Sequence, residues 1–267
     1  MKKKCFQKLS SLKEKLLKHL QENQTISLKD FSEKFLFLDF NKNQTAKVAR
    51  LFIEKESLFE TRNDQIVLRK EKRSFKNLDL KEVDFAFIDT ETSSFRETPI
   101  RIIEIAVVVS KGEDEKIRYS TLLNPLCPIS SETLELTKID PIDISHSPTF
   151  EEKWEEIKEI LKGKVVVAHN LPFDLGAITR ELERFGETFE LDFPPICTLK
   201  FARKVFKKES CSLDSLCEIA GIKVVERHRA LPDALLAKKL FFSLIKYISQ
   251  KDLAQISSLE DILDFIL

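Results

Sequence analysis

Glycine is scarce in this chain, at 5 residues in 267, and tryptophan and methionine occur once each. That scarcity excludes collagen-like and glycine-rich flexible architectures. The five cysteines, Cys5, Cys127, Cys197, Cys211 and Cys217, are odd in number and form no C-x-x-C pair. They fit neither a disulfide framework nor a zinc site, and reduced, mostly buried thiols are expected. No apolar run reaches the length that crosses a bilayer, and the lysine-rich start Met1–Lys4 leads into an amphipathic stretch instead of a signal-peptide core. The expectation is a cytoplasmic protein with no membrane association. Internal repeats and low-complexity tracts are also absent.

Net charge is zero, yet it is unevenly divided: residues 1–80 hold 19 Lys+Arg against 11 Asp+Glu, leaving 25 against 33 for the remainder. A basic first part, suited either to a polyanion or to a solvated surface, thus precedes an acidic one. Hydrophobic residues at 42% and charged residues at 33% describe a globular, helix-rich chain of a length that suits one medium domain plus a small one.

Leu9, Leu12, Leu16, Leu17 and Leu20 recur at helical spacing, and Ser27 with Asp30 reads as the N-terminal cap of a second helix carrying Leu28, Phe31 and Phe35. A third helical pattern runs through Thr45, Val48, Leu51 and Phe52, followed by β-prone pieces at 58–61 and 65–68 around Arg62-Asn63-Asp64. Residues 1–70 are therefore expected to form a small, mostly helical domain whose element order resembles a winged helix-turn-helix. Such a module would nominate Asn43, Lys47, Arg50 and Arg62 for DNA contact. A docking module or a simple brace is an equal reading. The charged stretch 71–81 reads as a linker.

From Val83 the pattern changes to short strands at 83–90, 102–109, 116–123 and 165–168, with helices at 150–161, 173–185, 199–206, 213–220 and 232–248. That order predicts an α/β domain over 82–250, a mixed sheet flanked by helices. Residues 251–267 form an amphipathic tail through Leu259, Ile262, Leu263, Ile266 and Leu267, able to dock a partner groove or to pack on its own domain.

Three short constellations carry chemistry. On the first strand of the second domain, Asp89 and Glu91 emerge on one face, about 7 Å apart along the chain, a spacing at which two carboxylates can share a hard divalent cation. A solvated strand end explains the pair equally well in isolation. In His169-Asn170-Leu171-Pro172-Phe173-Asp174, Asn170 can cap a helix, Pro172 suits its first turn and Asp174 complements its dipole. In His228-Arg229-Ala230-Leu231-Pro232-Asp233, the aspartate again falls in a first helical turn, with the histidine on the loop before it.

In this order the three pieces resemble the DEDDh exonucleases of the ribonuclease H-like superfamily, most closely the proofreading epsilon subunit of bacterial DNA polymerase III and its relatives. The resemblance covers about 83–248 and includes the strand Arg101-Ile102-Ile103-Glu104-Ile105-Ala106 and Cys197-Thr198-Leu199-Lys200. It implies a five-stranded ribonuclease H-like sheet and 3′-to-5′ hydrolysis of DNA ends, with release of nucleoside 5′-monophosphates. It also implies two Mg²⁺ or Mn²⁺ ions held by Asp89, Glu91, Asp174 and Asp233, and His228 as general base. Thr90, Thr92, Asn170 and Phe173 become candidates for contact with the nucleic acid. The partners implied are a DNA 3′ end, single-stranded or mispaired, and the DNA polymerase III catalytic subunit.

The chain departs from the pattern at Ser93-Ser94, where relatives have Thr-Gly, at Lys138 in place of glycine, and at Pro232 beside the last aspartate. None of these removes a carboxylate or the histidine; they bear on substrate choice. An exoribonuclease that trims RNA 3′ ends uses the same residues. A non-catalytic nucleic-acid or protein-docking module is the reading from another class.

Overall fold

The computed structural model describes residues 12, 15–20, 22–36, 53, 59–62, 64–68, 78–94, 99–207, 212–251 and 253–266. The chain divides into two compact units between Lys72 and Arg73.

In the first unit, β1 (Thr25–Ser27), β2 (Phe59–Arg62) and β3 (Gln65–Leu68) form an antiparallel sheet of order β1-β3-β2. Ser27 caps the helical turn Leu28–Phe31, accepting from the Asp30 N–H at 3.0 Å, as its spacing predicts. Leu16, Leu20, Ile26, Leu28, Phe31, Ile53, Phe59 and Ile66 make a small core. Strand β1 was not legible in the sequence: three residues are too few to show a period. Asn43, Lys47 and Arg50 lie outside the described residues, and of Arg62 only the backbone, at the end of β2, is described.

The second unit is a five-stranded mixed sheet of order β6-β5-β4-β7-β8, from β4 (Asp84–Thr92), β5 (Ile102–Lys111), β6 (Asp114–Leu122), β7 (Val165–Ala168) and β8 (Ile196–Cys197). Strand β4 is central, antiparallel to β5 and parallel to β7. Its helices are α1 (Ser131–Thr137), α2 (Pro141–Ser145), α3 (Phe150–Leu161), α4 (Leu171–Arg184), α5 (Thr198–Phe206), α6 (Leu213–Ile219), α7 (Ala230–Gln250) and α8 (Leu259–Ile266). Helix α3 begins with a full capping box, Thr149 with Glu152.

Alternation of side chains builds a core on each face of the sheet. Phe85, Phe87, Ala106, Val108, Val165 and Val167 pack against α5, α6, α7 and α8; Ala86, Ile88, Ile105, Val107, Val166 and Ala168 pack against α3 and α4. The run Phe85-Ala86-Phe87-Ile88 is buried throughout for this reason.

The ends of this unit differ from the sequence expectation. Leu78 and Leu80, read as linker, pack on the core, and Asp79 bridges to Ser258. The tail's apolar side is used internally: Leu259 and Ile262 are buried, and Phe265 meets Phe201 edge-on at 5.9 Å. Of the two roles the amphipathic pattern allowed, packing on its own domain is the one observed. Among the described residues, no helix is long and apolar enough to cross a membrane.

Candidate active site

The register that fills the core also assembles the acidic cluster. Odd-numbered residues of β4 face α7, where Phe85 and Phe87 lie 5.1 and 5.7 Å from the ring of Phe241. Asp89 and Glu91 continue that stripe toward the end of the strand. On α7, Asp233, Ala237, Phe241, Leu244 and Ile248 share the buried face, so the packing that seats Phe241 carries Asp233 to the two strand carboxylates. Ligand oxygens of Asp89, Glu91 and Asp233 lie within 4.8 Å of one another. The β4–β5 register shifts between Glu91 and Thr92, where Ile103 of β5 is the extra residue.

Asp174 arrives from the opposite face, on the first turn of α4. Its Oδ1 accepts from the Thr90 N–H at 3.0 Å and the Thr90 hydroxyl at 2.8 Å. Thr90 is the even-numbered residue between the two strand carboxylates, so Asp174 is fixed to the same few residues of β4. The strands β4 and β7 run parallel and both end here, the customary place for a site in an α/β sheet.

Four carboxylates in so small a volume cannot all ionise at ordinary cost. Burial, then the charges of Asp174, Glu91 and Asp233, hold Asp89 well above the usual carboxylate range. Burial, with Asp233 and Glu104 nearby, pushes Glu91 up to about 8. Asp174 is raised to about 7 by burial, against the opposing pull of its Thr90 bonds. Asp233 is raised by burial despite its ion pair with Arg227 at 2.7 Å. The cluster thus has an excess of hard oxygen donors over positive charge, and this donor set fits a hard divalent cation.

His228 is half-buried and adopts a left-handed backbone, φ 60°. Its N–H donates to Asp233 Oδ2 at 3.3 Å, which ties the loop to the last carboxylate. Either side of it stand two arginines the sequence did not single out. Arg227 binds Asp233 and Asp214, and Arg229 binds Glu104. The sequence Arg227-His228-Arg229 displays both residues, but their acidic partners are remote along the chain.

The remaining candidates are placed as follows. Thr92 is buried, with its hydroxyl donating to the Ser94 carbonyl at 3.0 Å, and the Thr90 hydroxyl is spent on Asp174. Asn170 is exposed and left-handed, φ 63°, and makes no side-chain cap bond, contrary to the capping role its position suggested. Asparagine tolerates that conformation, and the chain uses it to turn from β7 into α4. Phe173, half-buried, precedes Asp174. His169 Nδ1 lies 2.9 Å from the buried Thr198 hydroxyl, at the ends of β7 and β8. Ser93 accepts from the Arg101 N–H at 3.1 Å, which joins the residue after β4 to the residue before β5.

The exonuclease family model, of the RNase T type, matches residues 86–241. The PolC-type DNA polymerase III of Caldanaerobacter subterraneus subsp. tengcongensis is 30% identical over 183 residues, which are 68% of this chain and 13% of that protein. The chain therefore spans only a small part of the curated relatives it matches. Among solved structures, exonuclease X in complex with 5′-overhanging duplex DNA superposes with a TM-score of 0.53 at 23% identity, over 68% of this chain and 99% of that one. The nuclease domain of 3′hExo, a DEDDh family member bound to rAMP, gives 0.54 at 16% identity, over 65% and 94%. These likenesses show a ribonuclease H-like exonuclease fold, and the family model spans more than half of the sequence. The chain belongs to the exonuclease family of the RNase T type.

Proposed function

We propose that this protein hydrolyses the terminal phosphodiester at a DNA 3′ end, releasing nucleoside 5′-monophosphates one at a time. The observation that carries the reading is the convergence of Asp89, Glu91 and Asp233 within 4.8 Å, with Asp174 tied in through Thr90. Asp89, Glu91 and Asp233 would hold two Mg²⁺ or Mn²⁺ ions, and Asp174 completes the acidic set. Bound there, the ions supply Lewis-acid stabilisation of the charge that grows on the attacking and leaving oxygens.

The protein's own groups do the rest. His228 takes a proton from the attacking water, a task its residue type suits near neutral pH. The new P–O bond forms as the bond to the 3′ oxygen breaks; that oxygen takes a proton from solvent, and His228 returns its proton to solvent. Asn170 and Phe173, at the start of α4 that carries Asp174, would contact the terminal nucleotide. Thr90 holds Asp174 in place.

Preference for DNA over RNA is supported by the similarity to PolC-type DNA polymerase III. That similarity also supports a role in proofreading or repair, with the polymerase catalytic subunit as partner. The first unit's strand order is compatible with a winged helix, and we propose nucleic-acid or protein docking for it.

The test compares single-stranded DNA, a mispaired primer end and RNA as 5′-labelled substrates with Mg²⁺, using wild type and Asp174→Ala. A stepwise DNA ladder, reduced at least about a hundredfold in the variant, is expected. Equal activity of the two proteins would end the catalytic reading, and cleavage of RNA alone would end the DNA reading.

A further inference from the structure

Glu104 lies opposite Glu91 in the β4–β5 register, buried at 2% exposure. Its carboxylate accepts from Arg229 Nε at 3.0 Å, Arg229 Nη2 at 2.9 Å and the Ala230 N–H at 3.0 Å. Ala230 is the first residue of α7, and Arg229, at the cap position, makes no side-chain cap bond of its own. One of the orphan N–H groups of this helix is thus satisfied by a carboxylate 126 residues earlier in the chain.

The consequence falls on the residue immediately before the clamp. His228 holds a left-handed backbone that an L-residue keeps only when its surroundings enforce it. Arg227 and the His228 N–H secure one side of the loop to Asp233, on α7 itself. On the other side, Arg229 and the Ala230 N–H tie the loop to Glu104, on the sheet that carries Asp89 and Glu91. The Arg229 fork is planar and two-pronged, so it fixes direction as well as distance.

We infer that Glu104 and Arg229 form a positioning pair that sets the His228 imidazole relative to the acidic strand end; this rests on the reading of His228 as the base. Glu104 is bound to Arg229 and the Ala230 N–H, outside the set Asp89, Glu91 and Asp233. Their action is through the histidine, so their removal should cost rate and little else.

The test is a double-mutant cycle in the full chain, with single-turnover rate and KM measured on a single-stranded DNA oligonucleotide with Mg²⁺. Wild type, His228→Ala, Arg229→Ala, Arg229→Lys and the double variant His228→Ala with Arg229→Ala are compared. A displacement of the base on the ångström scale predicts a rate loss of about a hundredfold for Arg229→Ala and about tenfold for Arg229→Lys, with KM within about twofold. The Mg²⁺-induced rise in melting temperature should equal that of wild type in both.

With the histidine already absent, Arg229→Ala should change the rate by less than about twofold, because a positioning residue has nothing left to position. Multiplication of the two losses would overturn the inference, and so would a raised KM at unchanged rate, which marks a direct phosphate contact. A His228→Ala protein as active as wild type would instead overturn the base assignment itself. Should Arg229→Ala fail to fold with Glu104 left buried and unpaired, Arg229→Lys and Glu104→Gln carry the same cycle against His228→Ala.

Discussion

Without a bound cation, the second unit should become less stable as pH rises from 5 to 8. Glu91 ionises near 4.5 when unfolded and near 8 when folded, so across that interval the native protein retains a proton that the unfolded chain has released. A raised acid of this kind contributes stability fully below about pH 4.5 and loses it as pH climbs toward 8. At pH 7 the loss from Glu91 alone is about 3 kcal/mol, at about 1.4 kcal/mol per pKa unit. Asp174, raised from 3.8 to about 7, and the raised Asp89 and Asp233 act in the same direction. For a unit of this size, about 3 kcal/mol is roughly 6 to 12 °C in melting temperature.

The assay is thermal unfolding at pH 5, 6, 7 and 8, in EDTA and in millimolar Mg²⁺. In EDTA the melting temperature should fall steadily across the series. Mg²⁺ should restore it at pH 8 and do little at pH 5, where protonated carboxyls bind cations poorly. Glu91→Gln should flatten the slope. A melting temperature that stays level or climbs in EDTA would refute the reasoning, as would a Mg²⁺ shift of equal size at pH 5 and pH 8.

Two further outcomes follow from contacts around the site. Arg101→Met strands Glu181, which is buried and otherwise accepts from Arg101 Nε at 2.8 Å and from the Ile102 N–H; urea unfolding should show a loss of about 3 to 5 kcal/mol, and a loss below about 1 would count against a buried pair. Thr90→Val removes the hydroxyl that Asp174 accepts at 2.8 Å while preserving shape. About a tenfold fall in kcat is expected from losing one charge-assisted hydrogen bond, and unchanged kinetics would show that the remaining N–H suffices.

Much of the fold and of the site was legible because it is written locally. The run Val165–Ala168, the helix over 150–161 and the alternation that places Asp89 and Glu91 together each depend on a few adjacent residues, and each is found where expected. The acids were visible because each sits in its own short motif at the end of a strand or the start of a helix. What escaped was the set of partners brought by tertiary contact: Arg227 to Asp233, Arg229 to Glu104, Thr90 to Asp174. Asp174 read as a dipole complement because the helix start is local, whereas Thr90 is 84 residues away. The tail's amphipathic stripe was equally legible, but a stripe does not say which surface covers it. Its cover proves to include Leu78 and Phe201 from distant parts of the same unit.

The main chain of Leu80 donates to Ser257 at 3.1 Å and that of Leu259 to Leu78 at 2.9 Å. This small clasp stands between residue 77 and the strand that bears Asp89 and Glu91. Tension arriving along the polypeptide from that side is met first by the clasp and by helix α8, four residues before β4 begins. The segment that leads into the acidic strand is thus anchored to the start of the last helix before the strand begins, as a cable gland holds a lead ahead of its terminals.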